Sequence, residues 1–263
     1  MKLTHKLCGA ALLAVVGVAV AMPNATKADN GTATQYNGQG NVEFEDDTDA
    51  SSDKPHIPGG SSELDLEPNP DKGPLKILGA SPLQFDKSKI IEQGAADEMR
   101  DIPVQKYQDP SGVITENFVE FKDKRSDTLD HSYTVTAKLQ KQFTHEVNTE
   151  GILKGAEIHY KTARIHSAFA DDAYKPVGLE TAFELAPAED GKEPGAAVPV
   201  LKNSDSTKGT GYWDISFGDK TIEADAEGSA EQAVTLKVPK NLSLLKGKYS
   251  ATILWEITAG VNP

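Results

Sequence analysis

The stretch from Tyr249 to Thr258 constrains the fold of this chain more than any other, because it alternates apolar and polar side chains with a period of two. Tyr249, Ala251, Ile253, Trp255 and Ile257 fall on one face of an extended strand, and Ser250, Thr252, Glu256 and Thr258 on the other. Leu254 is the single apolar exception. Such a segment predicts a half-buried β-strand, and a half-buried strand needs a second layer to cover its apolar face.

The same period recurs upstream. Phe118 to Lys122, Tyr133 to Phe143, Ala156 to Lys161, Glu180 to Leu185, Tyr212 to Phe217 and Val234 to Val238 all read as strands. Turn-forming runs separate them, among them Asp109-Pro110-Ser111-Gly112, Asp190-Gly191 and Gly209-Thr210-Gly211. The one competing helical signal is a possible turn of helix near Ala95 to Arg100. The expectation is therefore an all-β fold, an antiparallel sandwich-like domain of about 190 residues, long enough to bury roughly 70% of its unfolded surface.

The other end of the chain addresses the compartment. Lys2, His5 and Lys6 form a positive start, Leu7 to Ala21 is apolar but short for a membrane span, and Ala19, Ala21, Ala25 and Ala28 offer small-residue cleavage sites. Residues 1–28 are read as a secretory signal peptide, cut after Ala21 or Ala28. Cys8, the only cysteine, lies within it, so the mature chain is expected to fold without disulfides and without a transmembrane segment. Removing these residues takes away Lys2, Lys6 and Lys27 and no acid, which moves the formal charge from −13 to −16. That balance argues against nucleic acid as a partner. No sortase-type motif or basic tail follows the last strand, which predicts non-covalent retention.

Residues 29–73 are rich in Gly, Ser and Pro, with Glu43, Glu45, Asp46, Asp47, Asp49, Asp53, Glu63, Asp65, Glu67 and Asp71 opposed only by Lys54 and Lys72. Such a composition buries too little apolar surface to offset its chain entropy. It reads as a disordered acidic linker with one short possible strand at Asn41 to Glu45, leaving residues 74–263 as the folded domain.

Several segments together resemble the WxL domain of Gram-positive surface proteins. Tyr249 to Pro263 resembles its distal signature, and Gly209 to Gly218, with Trp213 and Ile215, looks like a second piece. Gly73-Pro74-Leu75 with Leu83-Gln84-Phe85 resembles its opening. Asp123-Lys124-Arg125 followed by Tyr133-Thr134-Val135 resembles its Asp-x-Arg segment and proximal motif, and Leu153 to Ile158 its middle. The chain departs from the pattern where Tyr133 stands for Trp, where Val135, Ile215 and Ile257 stand for Leu, and where Gln105 to Gly112 looks like added sequence. The resemblance implies a secreted, cell wall associated protein that binds peptidoglycan or another wall polymer and acts with companion surface proteins or host matrix protein. It implies neither an enzymatic activity nor a cofactor.

Two surfaces are candidates for the wall contact. Tyr133, Val135, Trp213, Ile215, Tyr249, Trp255 and Ile257 carry the motif, and their rings either fill the core or stack on sugar faces. Lys237, Lys240, Lys246 and Lys248 lie in a stretch without acids, Gln232 to Trp255, and either meet anionic wall polymer or protect a sheet edge. Catalysis has little sequence support. His131, His145, His159 and His166 are dispersed, and neither His-Glu-x-x-His, Cys-x-x-Cys nor Gly-x-Ser-x-Gly occurs. Asp47 to Asp53 lacks the Gly and Glu of a calcium loop, so no metal is expected. A soluble adhesin that binds host matrix, with incidental wall contact, is the alternative reading.

Overall fold

A computed structural model describes residues 41–43, 53–90, 94–95, 97–126, 130–188 and 193–260. Residues 1–28, read above as a signal peptide, residues 29–40 and 44–52 of the acidic segment, the Asp190-Gly191 turn and the last three residues lie outside the described set.

The strands run in the order β1 (Leu75–Ala80), β2 (Met99–Pro103), β3 (Tyr107–Gln108), β4 (Ile114–Thr115), β5 (Asn117–Asp123), β6 (Tyr133–His145) and β7 (Glu157–Tyr160). There follow β8 (Ala163–His166), β9 (Phe183–Leu185), β10 (Val198–Asn203), β11 (Gly211–Phe217), β12 (Val234–Pro239) and β13 (Tyr249–Ala259). Among the described residues the only helical element is a 3-10 turn, Asp172–Tyr174. Every strand pair is antiparallel, and the strands form sheets of order β1-β5-β11-β8, β10-β6-β13 and β2-β12-β7-β9, plus the β3-β4 ribbon. The all-β sandwich-like fold expected from the alternation is the fold found.

One apolar core joins the three large sheets. Phe121 of β5 meets Tyr133 of β6 edge-on at 5.5 Å, which brings the first sheet against the second. Tyr160 of β7 meets Phe217 of β11 at 4.6 Å and stacks on Phe183 of β9 at 4.5 Å, which closes the third sheet over the same core. The burial of Tyr133 depends on Gly209. This residue has φ +88°, and a Cβ there would sit 2.5 Å from the Tyr133 hydroxyl and 2.8 Å from Asn203 Nδ2.

Near Ala95 to Arg100 one turn closes with Glu98 N donating to Ala95 O at 3.2 Å, and from Met99 the chain pairs with β12 as an edge strand. Of the Asn41 to Glu45 segment, Phe44 and Glu45 lie outside the described residues, and Asn41–Glu43 carry no regular structure, Val42 being 76% exposed. One expectation is corrected. Residues 53–73, assigned by composition to the linker, belong with the β domain. Leu64 is 1% exposed against Tyr107 and Phe118, and Leu64 N donates to Pro55 O at 2.7 Å. The Gln105–Gly112 segment supplies Tyr107 to that same satellite core, and its turn closes with Gly112 N donating to Asp109 O at 3.0 Å.

The strands β5 and β11 are covered on both faces. Val119, Phe121, Trp213, Ile215 and Phe217 point into the core, while Phe118, Glu120, Lys122, Tyr212, Asp214 and Ser216 point the other way, under residues 53–66.

Candidate functional site

The inner face of β13 is only half-buried, because β13 ends its sheet and pairs with β6 alone. Tyr249, Ala251, Ile253 and Trp255 line one wall of an open cleft of about 1210 Å³. Tyr160 and Phe217 form its floor. The opposite wall is the segment Ser81–Ile90 together with Ile102 of β2 and Leu236 and Val238 of β12. That segment is held by Ser81 N donating to Phe118 O at 3.0 Å, Gln105 N to Gln84 O at 2.7 Å and Asp86 N to Pro103 O at 3.0 Å. Phe85 adds an edge-on contact to Phe143 at 6.0 Å.

Trp255 rests on the aromatic floor, its ring centroid 6.1 Å from Tyr160, 6.2 Å from Phe217 and 6.3 Å from Phe183. Tyr249 fixes the mouth. Its hydroxyl accepts from Leu245 N at 2.9 Å and donates to Leu245 O at 3.2 Å, while its ring meets His145 edge-on at 5.1 Å. His145 in turn accepts at Nδ1 from Val147 N and Asn148 N and donates from Nε2 to Lys246 O at 3.1 Å. The Leu245–Tyr249 turn is therefore tied from both sides, and it presents Lys246 and Lys248 at the rim of the cleft.

The other motif residues are elsewhere. Tyr133, Val135 and Ile215 are 0% exposed and Trp213 is 1%, its Nε1 donating to Thr210 O at 2.9 Å. Ile257 packs against the core as a partly buried side chain. The four lysines also divide. Lys237 pairs with Asp101 at 3.0 Å and Lys240 with Glu98 at 3.0 Å, so the neighbouring strand supplies the acids that the Gln232–Trp255 stretch itself lacks. Apart from Leu83-Gln84-Phe85, the opposite wall was not legible beforehand, since Ser81–Ile90 carries neither aromatic pairs nor alternation.

The histidines are spent on structure. His131 Nδ1 bonds Asp123 Oδ2 at 2.9 Å beside Arg125, whose guanidinium grips both oxygens of the same carboxylate at 2.9 and 2.8 Å. Burial opposes the ionised form of Asp123, but the hydrogen bonds from Arg125 and His131 outweigh it and hold the carboxyl below its ordinary range. His166 is pushed down by burial and then by Arg164 and Lys175. His159 Nε2 lies 2.8 Å from Glu157 Oε2 and 3.6 Å from Glu184 Oε2. These three could donate to a divalent cation, although the histidine–carboxylate hydrogen bond already satisfies the ring.

Among the described residues no helix is long and apolar enough to cross a membrane. Neither the curated proteins nor the solved structures contain a significant match to the chain. The family model of the WxL domain, described as surface cell wall-binding, matches residues 31–260, nearly the whole length. With that span matched over an all-β antiparallel domain, the chain belongs to the WxL family of cell wall-binding surface proteins.

Proposed function

We propose that the mature protein is a secreted, non-enzymatic surface protein, freed of residues 1–28 and held non-covalently on peptidoglycan through its folded β domain. The observation that carries this reading is the cleft, where the partly buried Trp255 and Tyr249 share a lining with Lys246 and Lys248. Aromatic faces of this kind pack on the apolar faces of sugar rings, and the rim ammonium groups attract the carboxylates of stem peptides or the phosphates of attached polymers. Tyr133, Val135, Trp213 and Ile215 act as core, and Lys237 and Lys240 act in the pairing of β12 with β2. The non-enzymatic reading is supported by His131, His145 and His159, each engaged in a structural hydrogen bond.

The test is co-sedimentation of the mature protein with purified, protein-free peptidoglycan. Retention that is lost in Trp255→Ala, with the fold intact, supports the cleft as the wall site. A mature protein that stays in the supernatant while binding host matrix is instead a soluble adhesin, and digestion of the wall material in a zymogram would make it an enzyme.

A further inference from the structure

The polar face of β5 and β11 is an unusual place to find charge. Glu120 of β5 and Asp214 of β11 stand directly opposite each other in the ladder, 1% and 3% exposed. Two carboxylates so placed cannot both ionise cheaply. What covers them is the strap of residues 53–66. His56 gives Glu120 two hydrogen bonds, from its backbone N at 2.6 Å and from Nδ1 at 2.8 Å, and Gly59 N donates to Asp214 Oδ2 at 3.1 Å. Asp214 Oδ1 is buried without a hydrogen-bond partner. The His56 ring is held edge-on by Phe169 at 4.7 Å and Tyr212 at 5.8 Å, and the strap is pinned at its ends by the Asp53–Lys122 ion pair and by Leu64.

We propose that residues 53–66 form a proton-coupled latch, which docks over the Glu120–Asp214 pair through His56 and Gly59 and lifts as the medium becomes alkaline.

The argument is one of linkage. Under the strap, burial and then the charges of Glu120 and Glu116 push Asp214 up to about 8, while the hydrogen bond that His56 donates to Glu120 raises His56. Lifting the strap lets water reach both groups and returns them toward ordinary behaviour, near 4 for a carboxyl and near 6.5 for an imidazole. Both groups therefore hold protons more tightly when the strap is docked. Docking thus weakens as pH rises from about 6.5 to about 8, while His166, pushed down by burial on the same face, works against docking as the medium becomes acid. The other charged groups on this face are Lys76 of β1, Glu116 just before β5, Lys122 of β5, Arg164 and His166 of β8, and Asp219 and Lys220 just after β11, with Asp53 and Glu63 on the strap itself. Between acid and alkaline conditions the docked face thus loses positive charge at His56 and gains negative charge at Asp214.

Hydrogen exchange on the mature protein at pH 5.5, 7.0 and 8.5, with times scaled to the intrinsic exchange rate, reads the latch. The expected result is that amides of residues 53–66 lose protection by about tenfold or more toward alkaline pH, since one unit of proton linkage is a factor of ten. Amides of β6 should keep theirs. Asp214→Asn retains an acceptor for Gly59 N but cannot ionise, so its strap should lose clearly less protection toward alkaline pH than the wild type, His56 supplying the remainder, and Glu120→Gln, which removes the charge opposite Asp214 and the carboxylate partner of His56, should narrow the change in the same way should Asp214→Asn fail to fold. The proposal is overturned by a wild-type strap whose protection is independent of pH, by one that opens only together with β6, or by a folded variant whose strap loosens with pH as the wild type does.

Discussion

The indole of Trp255 lies 6.2 Å from the ring of Phe217 at an interplanar angle of 30°, so part of the ring is committed to the core while the rest faces the cleft. Trp213, with the same motif spacing, is wholly buried. Trp213→Ala should cost about 3–5 kcal/mol, and Trp255→Ala about half as much, a drop in Tm of about 4–8 °C. Thermal melts of the two variants beside peptidoglycan co-sedimentation should separate them: Trp255→Ala folded but not retained, Trp213→Ala poorly folded. Equal melting losses would place both rings in the core alone.

Lys246 and Lys248 stand at the rim of the cleft, whereas Lys237 and Lys240 are neutralised by Asp101 and Glu98. Screening acts over about 8 Å at physiological ionic strength. Replacing Lys246 and Lys248 by Gln should therefore weaken retention at low salt and remove its salt dependence. Replacing Lys237 and Lys240 should leave both unchanged, because an exposed pair contributes about 0–1 kcal/mol. Wall binding curves for the two double variants over a salt series check this, and identical curves would remove the rim from the site.

Arg125 and Asp123 form a bidentate pair in which the carboxylate is fully buried. Arg125→Ala leaves Asp123 with His131 and the backbone N of residue 125, and it should cost about 3–5 kcal/mol. Because the pair holds Asp123 below its usual range, its stabilisation is present above about pH 4 and fades as pH falls through the depressed value. Denaturant titrations of wild type and Arg125→Ala should converge in strong acid and diverge at neutral pH. A constant gap across that range would show that the pair contributes no charge interaction.

A chain beginning at Asp53 keeps Leu64, His56 and the Asp53–Lys122 pair, whereas one beginning at Gly73 uncovers Glu120, Lys122 and Asp214. The longer form should melt with the mature protein and the shorter one well below it. Coincident melts of all three would make residues 53–72 dispensable.

Strands with one wet face could be read directly from the sequence, and β6, β7, β12 and β13 fall where alternation places them. Those covered on both sides, or too short to alternate, could not. In β1, Ile77 and Leu78 point to opposite faces and are both buried, β8 has only four residues, and β10 is interrupted by Pro199. Alternation in β5 and β11 likewise gives no sign that their polar side is roofed by the strap. The strap escaped notice because its hold on the domain is polar: an acidic, proline-rich segment reads as solvated unless its hydrogen-bond partners are known. At the site, Tyr249, Trp255, Lys246 and Lys248 are close in sequence and could be grouped by eye. Which tryptophan is available could not, since it depends on sheet position. β11 sits between β5 and β8, and β13 has a neighbour on one side.

That one-sided position of β13 has a consequence for life in a crowd. Proteins gathered on a wall meet their copies at high local concentration, and a long strand with an open margin invites zipping into fibres. Here the pairing of β13 with β6 slips between Ser250 and Thr252 and again between Thr252 and Ile253. Such irregularities bend the strand and increase its local twist. A second copy laid alongside would meet a crooked margin rather than a straight template, so neighbouring molecules can share a surface without fusing into it.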